Sequence, residues 1–232
     1  MPDAIAEKLV EEDRLDEAIA RLEEVVEKTP EPGLELRLAS LQHLVGKYGD
    51  ALAHARRVAG QESPHQADAL LLVAYCLRSV KRWRESSRVF VMHAERWPES
   101  GRARVARFTA ALCLEELDDW GGAIEIYAVI GDDEADFRRA LCLERAGRPD
   151  EAIALFEEFI ARHAESPEAI KVRFRIGALR LRQGRTDEAI THLTEAVRLG
   201  EETFIGQLAA TLLERARTKA ADVSRKLRKY DS

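Results

Sequence analysis

A single small residue recurs through the chain at nearly constant spacing, and it restricts the possible folds more than any other feature. Ala18, Ala51, Ser86, Ala123, Ala152 and Ala189 follow one another at intervals of 33, 35, 37, 29 and 37 residues. A turn segment stands ahead of the anchor, as in Gly147-Arg148-Pro149-Asp150 and Gly184-Arg185-Thr186-Asp187, and an amphipathic stretch such as Ile153 to Ile160 runs behind it. A fixed period of this length marks a stacked array, in which each unit hides its apolar face only against its neighbours.

Counting from this anchor sorts the chain into columns. Twelve positions earlier stand Ala39, Ala74, Ala111, Ala140 and Gly177. Two columns of small residues at a fixed phase predict a crossing point of two helices, because only small side chains let helix backbones approach to the close end of the usual range. Large residues fill the positions around them. Leu36, Leu71, Phe108, Phe137 and Phe174 lie fifteen before the anchor, and Leu22, Ala55, Phe90, Tyr127, Phe156 and Leu193 lie four after it. Those offsets are helical spacings, so these side chains are read as interior. Leu15, Tyr48, Trp83, Trp120, Pro149 and Thr186, three before the anchor, are placed at the tight turn, with Gly121-Gly122 read as part of one such turn.

The columns predict six helical hairpins over about 2–29, 33–60, 65–96, 101–130, 134–164 and 168–199. Pro30, Pro32, Pro64, Pro98 and Pro167 fall between hairpins, where one helix must stop before the next begins. No anchor follows Gly200, and residues 202–229 read as one long helix with Phe204, Leu208, Leu212 and Leu213 on one face, the expected cap over an apolar face that would otherwise lie open. Turn-flanked alternation of apolar and polar residues is lacking, so no strands are assigned. The reading is a single all-α solenoid domain over 1–232.

This pattern of small and aromatic positions, together with Asp-Glu-Ala-Ile at 16–19, 150–153 and 187–190, resembles the tetratricopeptide repeat family. The segment Phe156 to Pro167, with Phe159, Ile160, His163 and Ser166 between, is similar to repeats of bacterial envelope-associated members. The resemblance implies a right-handed superhelix of helix pairs and a scaffold that holds peptides or protein surfaces in a curved groove. Some members grip an acidic C-terminus with a clamp of lysines and asparagines. Lys171 and Arg175 match its final basic pair in phase, but the chain contains no asparagine, which argues against that ligand.

Composition narrows the function. Apolar residues make up 46% of the chain, ample for a packed interior, and the net charge of −6 argues against a surface devoted to nucleic acid. The charge is uneven: twelve acidic and four basic residues lie between Asp3 and Glu35, and seven basic and three acidic ones between Glu214 and Ser232. The basic end, Arg215, Arg217, Lys219, Arg225, Lys226, Arg228 and Lys229, lacks the interleaved aromatics of a single-strand binder. No run approaches the 18 apolar residues of a membrane span, and the N-terminus lacks a secretory pattern. A cytoplasmic protein without nucleic-acid or membrane partners is expected.

Chemistry-bearing motifs are missing from the sequence. Cys76, Cys113 and Cys142 all fall ten before an anchor, in a column completed by Leu41 and Leu179, so they are read as core residues. His43, His54, His65, His93, His163 and His192 form no metal-binding spacing, and no nucleophile elbow or glycine-rich phosphate cradle is present. Neither an enzyme nor a cofactor is expected.

Recognition is instead assigned to the first helix of each pair. Inward-facing positions lie eighteen, fourteen, eleven and eight before the anchor. They supply Arg37, Arg138 and Arg175, Tyr75, Arg78 and Lys171 as candidate groove contacts. Arginine suits such a surface because its planar fork matches carboxylates and carbonyls. The competing account is ordinary solvation and intrahelical pairing, as of Glu168 with Lys171. The expected function is a non-catalytic protein-interaction scaffold with a peptide or protein ligand. The alternative is a self-associating module that uses its ends or outer side.

Overall fold

The computed structural model describes residues 4–230, with only the backbone at 223, 224 and 226–230. Among these residues there are thirteen α-helices and no strand. They form two compact units, Met1–Ile130 and Gly131–Ser232.

The first unit holds four hairpins: α1 (Ala4–Glu11) with α2 (Leu15–Lys28), α3 (Pro32–Leu44) with α4 (Tyr48–Ala59), α5 (Gln66–Ser79) with α6 (Trp83–Arg96), and α7 (Ala103–Glu115) with α8 (Trp120–Ile130). The second holds α9 (Asp133–Arg145) with α10 (Pro149–Arg162), α11 (Pro167–Arg182) with α12 (Thr186–Leu199), and the long α13 (Phe204–Tyr230). The six hairpins thus span 4–28, 32–59, 66–96, 103–130, 133–162 and 167–199.

One local device makes all six reversals. Five positions before the anchor the backbone turns left-handed, at Asp13, Gly46, Lys81, Asp118, Gly147 and Gly184, with φ between 54° and 84°. The next amide then reaches back to a first-helix carbonyl, as from Arg82 to Leu77 at 2.9 Å and from Arg148 to Leu143 at 2.9 Å. This αL closure satisfies carbonyls that the helix end would otherwise leave bare. Two residues after the left-handed position the second helix starts, so Leu15, Tyr48, Trp83, Trp120, Pro149 and Thr186 are its first residues. Arginine just ahead of that start clamps a glutamate three residues on. Arg82 donates to Glu85 at 2.7 and 2.6 Å, and Arg148 to Glu151 at 2.6 and 2.7 Å. These bonds hold the Glu85 and Glu151 carboxyls below their ordinary range. Gly121 and Gly122 are not turn residues: they lie in the first turn of α8, because the reversal is already complete at Asp118.

Both small columns are buried. Each of the six anchors is fully enclosed, as are Ala39, Ala74, Ala111 and Ala140. Ala6, twelve before Ala18, completes the column in the first hairpin. Gly177 shows how close the helices come: a Cβ there would lie 2.6 Å from Leu193 Cγ. The large column four after the anchor is equally enclosed, with Tyr127 and Phe156 fully buried. Phe108 meets Tyr127 at 5.3 Å and Phe137 meets Phe156 at 5.9 Å between ring centroids. Cys76, Cys113 and Cys142 are buried and free, and burial pushes the Cys76 thiol up to about 11.

The terminal helix corrects one expectation. Phe204 is 71% exposed and Leu208 39% exposed, while Ala209, Leu213 and Ala216 are buried. α13 docks through small residues: a Cβ on Gly206 would fall on the carbonyl of Gly200, so backbone meets backbone there. Phe204 and Leu208 lie outside this contact, while Leu213 packs in one cluster with Leu193, Ala196 and Ala209. Lys226, Arg228 and Lys229 lie where side chains are not described, whereas Arg225 pairs with Asp222 at 3.8 Å.

Candidate functional site

In the first unit the first-helix faces of α5 and α7 enclose a cavity of about 340 Å³. Leu72 and Tyr75 line it from α5, and Val105 from α7, with Asp68 and Arg102 also in its wall. Asp68, Leu72, Tyr75 and Val105 are residues of the inward-facing columns. Tyr75 is held edge-on against buried Phe90, with ring centroids 5.0 Å apart. Asp68 and Arg102 form an exposed ion pair of 2.5 Å. An apolar cleft of this volume with few polar groups suits recognition of a side chain. Its two charged groups, Asp68 and Arg102, are paired with each other.

The candidate cations are placed differently. Arg37 on α3 donates to Glu7 on α1 at 2.7 Å. Arg175 on α11 donates to Glu144 on α9 at 3.1 Å, and Arg182 shares that carboxylate at 2.6 Å. Arg138 is half-buried and already engaged. Arg78 and Lys171 are exposed and make no salt bridge among the described residues, and Glu168 does not pair with Lys171. Successive first helices are thus laced by arginine–carboxylate pairs. Partly exposed pairs of this kind contribute about 0–1 kcal/mol each.

Three polar features escaped the sequence reading. Nine before the anchor the chain reads Leu9, Gln42, Leu77, Leu114, Leu143 and Arg180, a leucine column with two polar intruders. Gln42 is buried, donating to Glu23 at 3.1 Å while its Oε1 has no partner. Arg180 is buried and reaches Glu157 at 3.3 Å and Glu188 at 3.2 Å. Glu35, also buried, bonds His54 at 3.1 Å and Arg57. The intruders were visible in the aligned column, whereas the Glu35 cluster needed the tertiary contact. Among the described residues no group of His, Cys, Asp or Glu is placed to hold a metal ion. No described helix is long and apolar enough to cross a membrane.

Helix pairs of one length, turned by one device and packed through two small columns, define an all-α hairpin-repeat protein. Residues 134–202 match the family model of the tetratricopeptide repeat. The fold is that of the tetratricopeptide-repeat (TPR) solenoids, and the family match covers those residues of the chain. Solved structures share the fold at low identity. YrrB, described as a TPR protein with an unusual peptide-binding site, is 16% identical with a TM-score of 0.57, over 82% of this chain and 97% of that one. The TPR-like repeats of a putative kinesin light chain from Podosopora anserina are 13% identical with a TM-score of 0.53, over 74% and 97%. Yeast Tom70 is 16% identical with a TM-score of 0.53, over 91% of this chain and 46% of its own. Among curated proteins none matches the chain.

Proposed function

We propose that this protein is a non-catalytic interaction scaffold that seats a peptide or protein segment on its first-helix face, centred on the cavity between α5 and α7. The observation that carries this reading is the enclosure of Leu72, Tyr75 and Val105 around one apolar cleft with a charged rim. Binding energy concentrates where an aromatic residue lines a desolvated pocket, and Tyr75 is such a residue. Arg78 and Lys171 are the exposed cations of these columns. Arg37 and Arg175 would exchange an internal carboxylate for a partner's. The peptide-binding site described for YrrB supports the analogy without naming the ligand.

The test is a random-peptide selection against the chain, followed by affinity measurement on variants. Val105 is 47% exposed, so Val105→Asp leaves the fold intact while charging the cavity wall. We expect it to weaken the selected peptides at least tenfold. Undiminished affinity would move the seat elsewhere.

Charge favours one second reading, self-association of the acidic 3–35 region with the basic 214–232 region of another copy. Such a contact weakens with salt. Sedimentation at two protein concentrations and two salt levels tests it, and an unchanging mass removes it.

A further inference from the structure

The charge pattern at the start of the second helices breaks once. In five hairpins a basic residue stands four before the anchor and an acidic one directly before it, as at Arg14 and Glu17 or Arg185 and Glu188. The fourth hairpin has Asp119 and Gly122 at those places. Asp119 accepts from the Gly122 amide at 3.2 Å and from Arg84 on α6 at 3.0 Å. Gly122 borders a cavity of about 380 Å³ between α6 and α8, where the sister hairpins carry a carboxylate side chain. A Cβ on Gly122 would stand 2.9 Å from Leu114 Cδ1, so Leu114 forms the floor there, with Val91, Met92 and Ile126 around it. Met92 is 47% exposed. The rim is polarised: Arg84 and Arg88 lie toward the start of α6, Glu95 lies toward its end, and α8 adds Glu125. Arg88, Glu95 and Glu125 make no salt bridge among the described residues, and Arg88 acts on Glu85 only at longer range.

The outer face of α13 carries the complementary pattern. Phe204, 71% exposed, and Leu208 lie one helical turn apart, with half-buried Leu212 a turn further on. Glu201 and Glu202 precede this stripe and Arg215 follows it; all three are exposed and make no salt bridge among the described residues. Phe204 to Arg215 and Arg84 to Glu95 are steps of eleven residues each, about 16 Å of helix, so both ends of each stripe fall on one face.

We propose that the α6–α8 cavity receives the exposed stripe of α13 from a second copy of this chain. A helix seated in a groove is held by apolar anchors three and four residues apart, which Phe204, Leu208 and Leu212 supply. Phe204 enters beside Met92, whose unbranched thioether adapts to an aromatic ring. Charge fixes the direction. With α13 parallel to α6, Glu201 and Glu202 meet Arg84 and Arg88, while Arg215 meets Glu95 and Glu125. The reversed helix sets like charges against each other at both ends. The contact uses neither the α5–α7 cleft nor the acidic 3–35 region.

Sedimentation equilibrium on the full chain tests this with two exposed changes, Met92→Glu in the cavity and Phe204→Glu on α13, each checked for an unchanged far-UV circular dichroism spectrum. The wild-type mass is expected to rise with concentration, and each variant alone to associate at least tenfold more weakly. Mixed in equal amounts the two variants are expected to pair, because one keeps an intact helix stripe and the other an intact cavity. A wild-type mass that stays monomeric, a variant that associates as the wild type does, or a mixture that does not pair would overturn the proposal. Association that survives in Phe204→Glu yet disappears at about 0.5 M salt, where exposed charges are largely screened, belongs to the acidic and basic ends and also overturns it. Val105→Asp in the α5–α7 cleft is expected to leave the mass unchanged, so failure here is distinguishable from failure there.

Discussion

The hydroxyl of Ser86 on α6 donates a 2.8 Å hydrogen bond to the carbonyl of Ala74 on α5, joining the two small columns atom to atom. The backbones are close enough there for a two-atom side chain to span the gap. The same crossing in the last hairpin is occupied by Gly177 and Ala189.

Gly177→Ala is therefore expected to destabilise the protein, although alanine is the better helix former. Its Cβ would stand 2.6 and 2.8 Å from Leu193 Cγ and Cδ2, and Leu193 is fully buried. Overpacking of this kind costs about 1–3 kcal/mol, against a propensity gain of about 1. Urea unfolding checks the loss, and Leu193→Ala in the same chain should cost less than the sum of the two single changes.

Lys81 occupies a left-handed turn position with φ of 60°, where Gly46, Gly147 and Gly184 serve in sister hairpins. A non-glycine residue there bears a steric cost of about 1–2 kcal/mol. Lys81→Gly should raise the urea midpoint by an amount equivalent to about 1 kcal/mol, while Gly46→Ala should lower it.

Arg180 sits in a leucine column with its charge satisfied by carboxylates that remain half in water. Removing such a cation does not strand its partners, and a well-packed apolar replacement is commonly neutral or stabilising. Arg180→Leu is expected to keep or raise the melting temperature. Arg180→Ala leaves a hole and should lose about 2–5 kcal/mol. A melting temperature that drops equally for both would show that the charge itself matters.

Stability should fall on mild acidification. Burial holds the His93 and His192 imidazoles below their ordinary value of 6.5, and the Nδ1 of each is buried with no hydrogen-bond partner. The unfolded chain therefore binds protons more readily than the folded one. The stabilising contribution is present above pH 6.5 and is lost as pH drops below it toward the folded-state values. Urea midpoints at pH 7.5 and 5.5 (about one pH unit either side of that value) test this, and His93→Leu and His192→Leu should each flatten the difference.

The helical-hairpin fold was legible from one column because every unit imposes the same demand at Ala18 and its equivalents. The capping helix was misread for a related reason. Phe204 and Leu208 form an obvious apolar stripe, but the close approach at Gly200 and Gly206 selected the small face instead. Tyr75 was legible as a first-helix residue, since its column repeats. The α6–α8 cavity was not, because Val91, Met92, Leu114 and Ile126 belong to four different columns that meet only after packing. Gln42 and Arg180 show a third case: a lone polar residue in an interior column announces itself, but not which carboxylate it will find.

Because all six reversals use one left-handed residue at one phase, the chain is cut into interchangeable parts. A hairpin could be duplicated or deleted at these joints, lengthening or shortening the protein by a whole unit while every remaining neighbour keeps its old mating surface. Natural variation in size among chains of this kind would then arise by copying of segments rather than by gradual insertion.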